Sequence, residues 1–140
     1  MEEFFLEICD MLDIRPPKIS YDTSHFQSDT MMAQVDSSGH TIYINKCEKV
    51  NPDQLFAIAH ELRHIWQMKD RERYLSDYKS VDQCSSFEEY NLQIAELDAN
   101  AFAGLVMIDF FHLKPQFYDV PESIRSKIYE QMDRITESLK

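Results

Sequence analysis

Residues 51–69, NPDQLFAIAHELRHIWQMK, decide how the rest of the chain is read. Asn51 can serve as a helix N-cap, Pro52 suits the first helical position, and Gln54 completes a capping box. Leu55, Ala59, Leu62 and Trp66 then fall at i, i+4, i+7 and i+11, one apolar face of a helix running to about Lys69. The same helix carries His60-Glu61-Leu62-Arg63-His64. A spacing of four places both imidazoles on one face, one turn apart, where their ring nitrogens can converge on a single ion. Glu61 points to the side of that pair where a water on the ion would lie. With five His and twelve Glu in the chain, this pattern arises by chance in about one such chain in a hundred.

Working outward, Ser85 with Glu88 offers a second capping box, and a long apolar helix is expected from there to about Phe111. Its segment IAELDANAFAGLVMI is apolar enough to be buried, yet it carries Glu96 and, one turn on, Asn100. An unpaired buried carboxylate costs several kcal/mol, so Glu96 needs a cation or a dense set of donors. Ala95, Ala99, Ala103 and Gly104 are small enough to let another helix approach closely. If the two helices cross there, Glu96 becomes a third ligand beside His60 and His64, and a fourth tetrahedral position stays open. That His₂Glu set is a catalytic rather than a structural arrangement for Zn2+. Asn100 is placed to accept the second ring N–H of a zinc-binding histidine and fix its tautomer.

The remaining elements are consistent with an α+β domain. Phe4, Phe5, Ile8, Cys9, Leu12 and Ile14 mark a helix over 2–13 that stops at Pro16-Pro17. Lys18 to Tyr21 suits a short strand, and residues 22–30 a loop. Met31–Val35 and Thr41–Asn45 flank the turn Asp36-Ser37-Ser38-Gly39 as a β-hairpin. Residues 70–84 form a charged, tyrosine-rich connection. Pro115 and Pro121 frame a loop, and 122–138 form an amphipathic last helix.

A length of 140 residues is one domain by the usual prior, taken here as 1–140. A net charge of −11 argues against phosphate-backbone binding and against an anionic membrane surface as the main task. Cys9, Cys47 and Cys84 are odd in number and far apart, which suits reduced thiols in a cytoplasmic protein. The acidic start, MEEFFLEICDML, is not a secretory signal, and the apolar run Ile94–Phe111 is broken by Glu96, Asp98, Asn100 and Asp109.

The chemistry these residues suit is peptide hydrolysis. A zinc ion activates water and polarises a peptide carbonyl, Glu61 acts as general base, and a further donor helps hold the oxyanion. Tyr74, Tyr78, Tyr90 and His112 are the candidates for that donor, and the sequence does not choose among them. The strand residues Thr41, Ile42, Tyr43 and Ile44 could bind an extended substrate along a strand edge.

HELRH at 60–64 followed by ELDANAFA at 96–103 resembles the ImmA/IrrE family of gluzincin-type zinc metallopeptidases. Members carry HExxH and a downstream E-x-x-A-[ND]-x-F-A stretch, and the likeness covers about residues 30–110. The resemblance implies a minimal zincin-like domain: a small sheet packed on the HExxH helix, a glutamate-bearing helix, and flanking terminal helices. It implies His60, His64 and Glu96 as ligands, Glu61 as base and Asn100 as partner of a ligand. It also implies a setting in phages or mobile elements and a protein substrate such as a DNA-binding transcriptional repressor. Many members have Gly where Arg63 stands, and the segment from Gln67 to Ser86 is longer and more charged than a minimal connection.

The plainer assignments bear on each of these residues. His25 and His40 are ordinary polar residues of a loop and a turn, Cys84 an inert thiol, and Arg63 a solvated side chain at the helix edge. A different class of function is a catalytically silent protein that keeps the scaffold and binds a partner without cutting it. Retention of Glu61 argues against that class, because metal binding alone requires no base. A helical adaptor with no metal leaves Glu96 unexplained.

Overall fold

The computed structural model describes residues 1–115, 117 and 120–139, and among them the chain is α+β, with six α-helices and one three-stranded sheet. It divides into two compact units, Met1–Lys69 and Asp70–Lys140.

The first unit is built from α1 (Glu2–Leu12), β1 (Lys18–Ser20), β2 (Ala33–Val35), β3 (Thr41–Ile44) and α2 (Pro52–Gln67). The apolar stripe Phe4, Phe5, Ile8, Cys9 and Leu12 is buried. α1 ends ahead of the proline pair because Asp13 turns left-handed at φ 52°, its N–H bonding Asp10 and the Ile14 N–H bonding Cys9. Lys69 Nζ donates to the carbonyls of Leu12 and Asp13, which covers this helix C-terminus with a cation.

β2 and β3 form the expected hairpin. Gly39 takes the φ of 76° that the turn requires, and Asp36 Oδ1 accepts the amides of His40 and Thr41 at 3.0 and 3.3 Å. β1 pairs with the other side of β3, in parallel, so the strand order is β1-β3-β2. This corrects one expectation. Thr41, Ile42, Tyr43 and Ile44 lie on the central strand, with both backbone edges already paired, so no substrate can add along them. Ile42 and Ile44 are instead core residues, and Tyr43 meets His25 edge-on at 4.4 Å between ring centroids.

α2 begins as its sequence dictates. Asn51 is extended, and its Oδ1 accepts the Gln54 N–H at 2.9 Å. The capping box is only half made, since the Gln54 amide donates to the Asn45 carbonyl at 3.0 Å and so ties the helix start to the end of β3. Leu55, Ile58, Ala59 and Leu62 are buried. Trp66 is half-buried, and the expectation of a solvated Arg63 is overturned. Arg63 is only 8% exposed, and its guanidinium lies 3.6 Å from the Trp66 ring centroid, a stacked cation–π contact one turn along the helix.

The second unit contains α3 (Arg71–Leu75), α4 (Phe87–Asn91), α5 (Ile94–Phe111) and α6 (Glu122–Ser138), with a short 3₁₀ turn at Val81–Gln83. The single long helix expected from Ser85 is two helices. Ser86 rather than Ser85 caps α4, its hydroxyl accepting the Glu89 N–H at 3.0 Å. Gln93 is extended and breaks the run before α5. α6 covers 122–138 as expected and packs on α5 through Ile124, Ile128, Met132 and Ile135. Gln131 Nε2 donates to the buried Asp98 Oδ1 at 3.1 Å, and a Cβ on Gly104 would meet Met132 Cε at 3.4 Å. The small side chain at 104 therefore serves the approach of α6. The expected loop framed by Pro115 and Pro121 lies partly outside the described residues. Among those described, no helix is long and apolar enough to cross a membrane.

Replacing Asn51 with Ala removes the acceptor at the start of α2 and is expected to lower stability by about 1 kcal/mol, while Asn51→Asp is expected to change it little. Denaturant midpoints of the three proteins check this.

Candidate metal centre

Within the first unit, α2 sets His60 and His64 one turn apart on one face. Their Nε2 atoms stand 3.1 Å from each other, and the rings are 4.7 Å apart and nearly perpendicular at 83°. Two nitrogens bound tetrahedrally at zinc distances stand about 3.3 Å apart, so this spacing fits two ligands of one ion. Two lone pairs at such a distance repel, and a proton or a cation between them is required. His64 is prepared for the second case: its Nδ1 lies 2.8 Å from Oε1 of the fully buried Gln67. An amide oxygen accepts only, so Nδ1 carries the hydrogen and Nε2 keeps its lone pair.

Glu61 sits between the two histidines in sequence, and its Oε2 accepts the Val35 N–H at 3.1 Å. Asp36 N–H bonds Thr41 and Asn45 N–H bonds Met32 across the hairpin, so even-numbered backbone groups of β2 face β3. The odd-numbered ones face outward, and the Val35 amide thereby reaches α2. The HExxH carboxylate is thus held by the outer edge of the sheet.

Within the second unit, Glu96 lies in the first turn of α5 and is 2% exposed. The Tyr78 hydroxyl donates to its Oε2 at 2.8 Å and also lies 3.1 Å from the Tyr90 hydroxyl. Burial, reinforced by the charge of Glu96 and by Tyr90, pushes the Tyr78 phenol above its ordinary value, so it remains a donor. A clamp sets Tyr78 there. Gln93 Oε1 accepts the Lys79 N–H at 2.7 Å, and Gln93 Nε2 donates to the Lys79 carbonyl at 2.9 Å. The same side chain that interrupts the helix therefore stitches the 76–80 segment to the start of α5.

The other proposed oxyanion donors fall in different places. Tyr90 is with Tyr78. Tyr74 is 5% exposed, with Arg73 over its ring at 5.1 Å. His112 is exposed and left-handed at the far end of α5, about 24 Å along the axis from Glu96. Asn100 is half-buried, one turn after Glu96. Cys84 is half-buried with its thiol pushed up by burial and by Glu89, so it stays protonated at neutral pH. Gln67, Val35 and Gln93 went unnoticed in the sequence. Only Gln67 left a signal there, a polar residue at i+3 from a candidate ligand.

By donor chemistry His60 and His64 of the first unit and Glu96 of the second each offer one ligand atom of a kind that metal ions take. The family model described as the IrrE N-terminal-like domain, a peptidase family, matches residues 12–134. The chain belongs to that family. No curated protein and no solved structure matches it. Membership makes this IrrE-like domain a peptidase in general terms, and its candidate ligand group suits a metallopeptidase. The match extends over both compact units and beyond the stretch between the two motifs.

Two outcomes are expected around Glu96. Gln93→Ala removes both bonds to Lys79 and a third from Gln93 Nε2 to the Tyr90 carbonyl, worth about 0.5–1.5 kcal/mol each, and the Lys79 amide is expected to exchange with solvent at least about tenfold faster, read by hydrogen exchange. Glu89 accepts from the Ser85 hydroxyl and amide and from Lys79, which lowers its carboxyl from 4.5 to about 2. A lowered acid stabilises the fold fully above its unfolded value and loses that contribution as the pH falls from 4.5 toward 2. The Glu89 carboxyl carbon is expected to titrate by NMR with a midpoint at about 2, and Ser85→Ala to move it back toward 4.5.

Proposed function

We propose that this IrrE-like domain is a zinc-dependent endopeptidase acting on a protein substrate, with His60, His64 and Glu96 as the ligands and Glu61 as the general base. The observation that carries the proposal is the pair of Nε2 atoms 3.1 Å apart, one of them on a ring whose tautomer presents its lone pair. Glu96 supports it as a carboxylate only 2% exposed, the kind of group whose burial calls for a cation or a dense set of donors.

Bound zinc would supply an activated water and a polarised scissile carbonyl. The chain's own residues do the rest. Glu61 takes the water's proton on one carboxylate oxygen, while the Val35 amide holds the other, and then delivers that proton to the leaving amine. Tyr78 orients Glu96 through its hydrogen bond, and the Tyr78–Tyr90 pair is the source we assign to the oxyanion donor. An extended substrate is assigned to β2 rather than β3, because β2 is an edge strand and β3 is paired on both sides. Asn100 serves as acceptor for a ligand histidine. The resemblance of HELRH and ELDANAFA to repressor-cleaving members supports a DNA-binding repressor as the substrate and a reducing cell interior as the setting.

A second assignment has its own observation. The bond from Val35 to Glu61 would justify that glutamate as a strut in a silent binding scaffold. Glu61→Gln separates the two. It is expected to keep about one zinc per chain and to lose cleavage by about 10²–10⁴-fold. Metal content of the purified variant, and the length of cellular proteins when it replaces the wild type, give the answer. Unchanged cleavage would remove Glu61 as base; a wild type that binds zinc but shortens no protein would favour the scaffold. Glu96→Gln is expected to weaken zinc binding, and an unchanged affinity would remove Glu96 from the ligand set.

A further inference from the structure

We infer that Gln67 is a positioning residue that locks His64 in its Nδ1–H tautomer and so readies Nε2 for the metal. The inference rests on the zinc assignment above for its purpose, though not for its geometry. Gln67 is the last residue of α2 and 0% exposed, and burying a primary amide is costly unless its polar atoms are used. Its Oε1 is used on His64 Nδ1 at 2.8 Å, a reach that i to i+3 on one helix allows.

The consequence is chemical. Neutral imidazole in water prefers to carry its hydrogen on Nε2, which is the atom facing His60. With that hydrogen in place, His64 would have to lose it or change tautomer before it could ligate. The Gln67 carbonyl reverses the preference, because only the Nδ1–H form can donate to Oε1 at 2.8 Å. The role foreseen for Asn100, accepting the second N–H of a ligand histidine, is thus filled at His64 by a residue of the same helix. A neutral amide at this place also leaves the imidazole less basic than a carboxylate would, so Gln67 tunes the ligand as well as orienting it.

The test reads the tautomer and the metal separately. In metal-free protein at a pH where histidine is neutral, nitrogen NMR is expected to show His64 as the Nδ1–H form; the Nε2–H form would overturn the inference whatever zinc does. Gln67→Met, similar in volume but with no amide, is expected to shift His64 toward the Nε2–H form and to weaken zinc by about 10–100-fold in competition with a chelator. Gln67→Glu keeps an acceptor and is expected to retain the tautomer and bind zinc at least as tightly as wild type. Circular dichroism shows whether each variant folds. If the methionine variant does not, the glutamate variant decides, and loss of the Nδ1–H form there would overturn the inference. Wild-type protein that shows the expected tautomer but binds no zinc would defeat the metal assignment and leave the tautomer lock standing.

Discussion

Two imidazole nitrogens 3.1 Å apart set the terms for everything near them. Their lone pairs repel at that distance, so the arrangement persists only with a proton between them or a cation bound by both. The 3.6-residue repeat of α2 creates the proximity, and the buried row Leu55, Ile58, Ala59 and Leu62 holds the helix so that the pair faces away from the core. The cap at Asn51 and the Gln54 tie to Asn45 fix where that helix starts relative to β3.

Both units prepare their polar groups by the same device, a hydrogen bond from a neighbour that is itself immobile. Gln67 is immobile because it is buried, and it decides which nitrogen of His64 carries hydrogen. Val35 is immobile because β2 is paired to β3, and its outward amide restrains Glu61. Tyr78 is immobile because Gln93 grips the backbone of Lys79 next to it, and its phenol orients Glu96. None of these bonds is large by itself, about 1 kcal/mol net for a neutral pair and about twice that to a charge. Their value is in orientation, since a ligand already in the required rotamer and tautomer loses little entropy when it is used.

The α+β class, α1, the hairpin, α2 and α6 were all legible in the sequence, because each is written in a local code of apolar period, cap or turn. So was the HExxH pair, since four residues of helix fix its geometry. The glutamate at 96 was legible as an anomaly, an acid within an apolar run. Three features were not legible. The parallel pairing of β1 with β3 joins residues 18–20 to 41–43 and turned the supposed substrate strand into the sheet's centre. The break at Gln93 depends on what that side chain grips at Lys79. Arg63 looked solvated, since nothing in a helical wheel announces that it stacks on Trp66.

Sequence alone therefore determined which residues are candidates for chemistry and which elements hold them, because side-chain type and helical period are local properties of the chain. Membership in the IrrE N-terminal-like peptidase family agrees with the expected family and with a peptidase in general terms. Tertiary structure decided the hydrogen-bond state of each chemical group: the tautomer of His64, the anchored oxygen of Glu61, the donor on Glu96. Those depend on atoms brought together by strand pairing and burial, and no local pattern of residues encodes such distances.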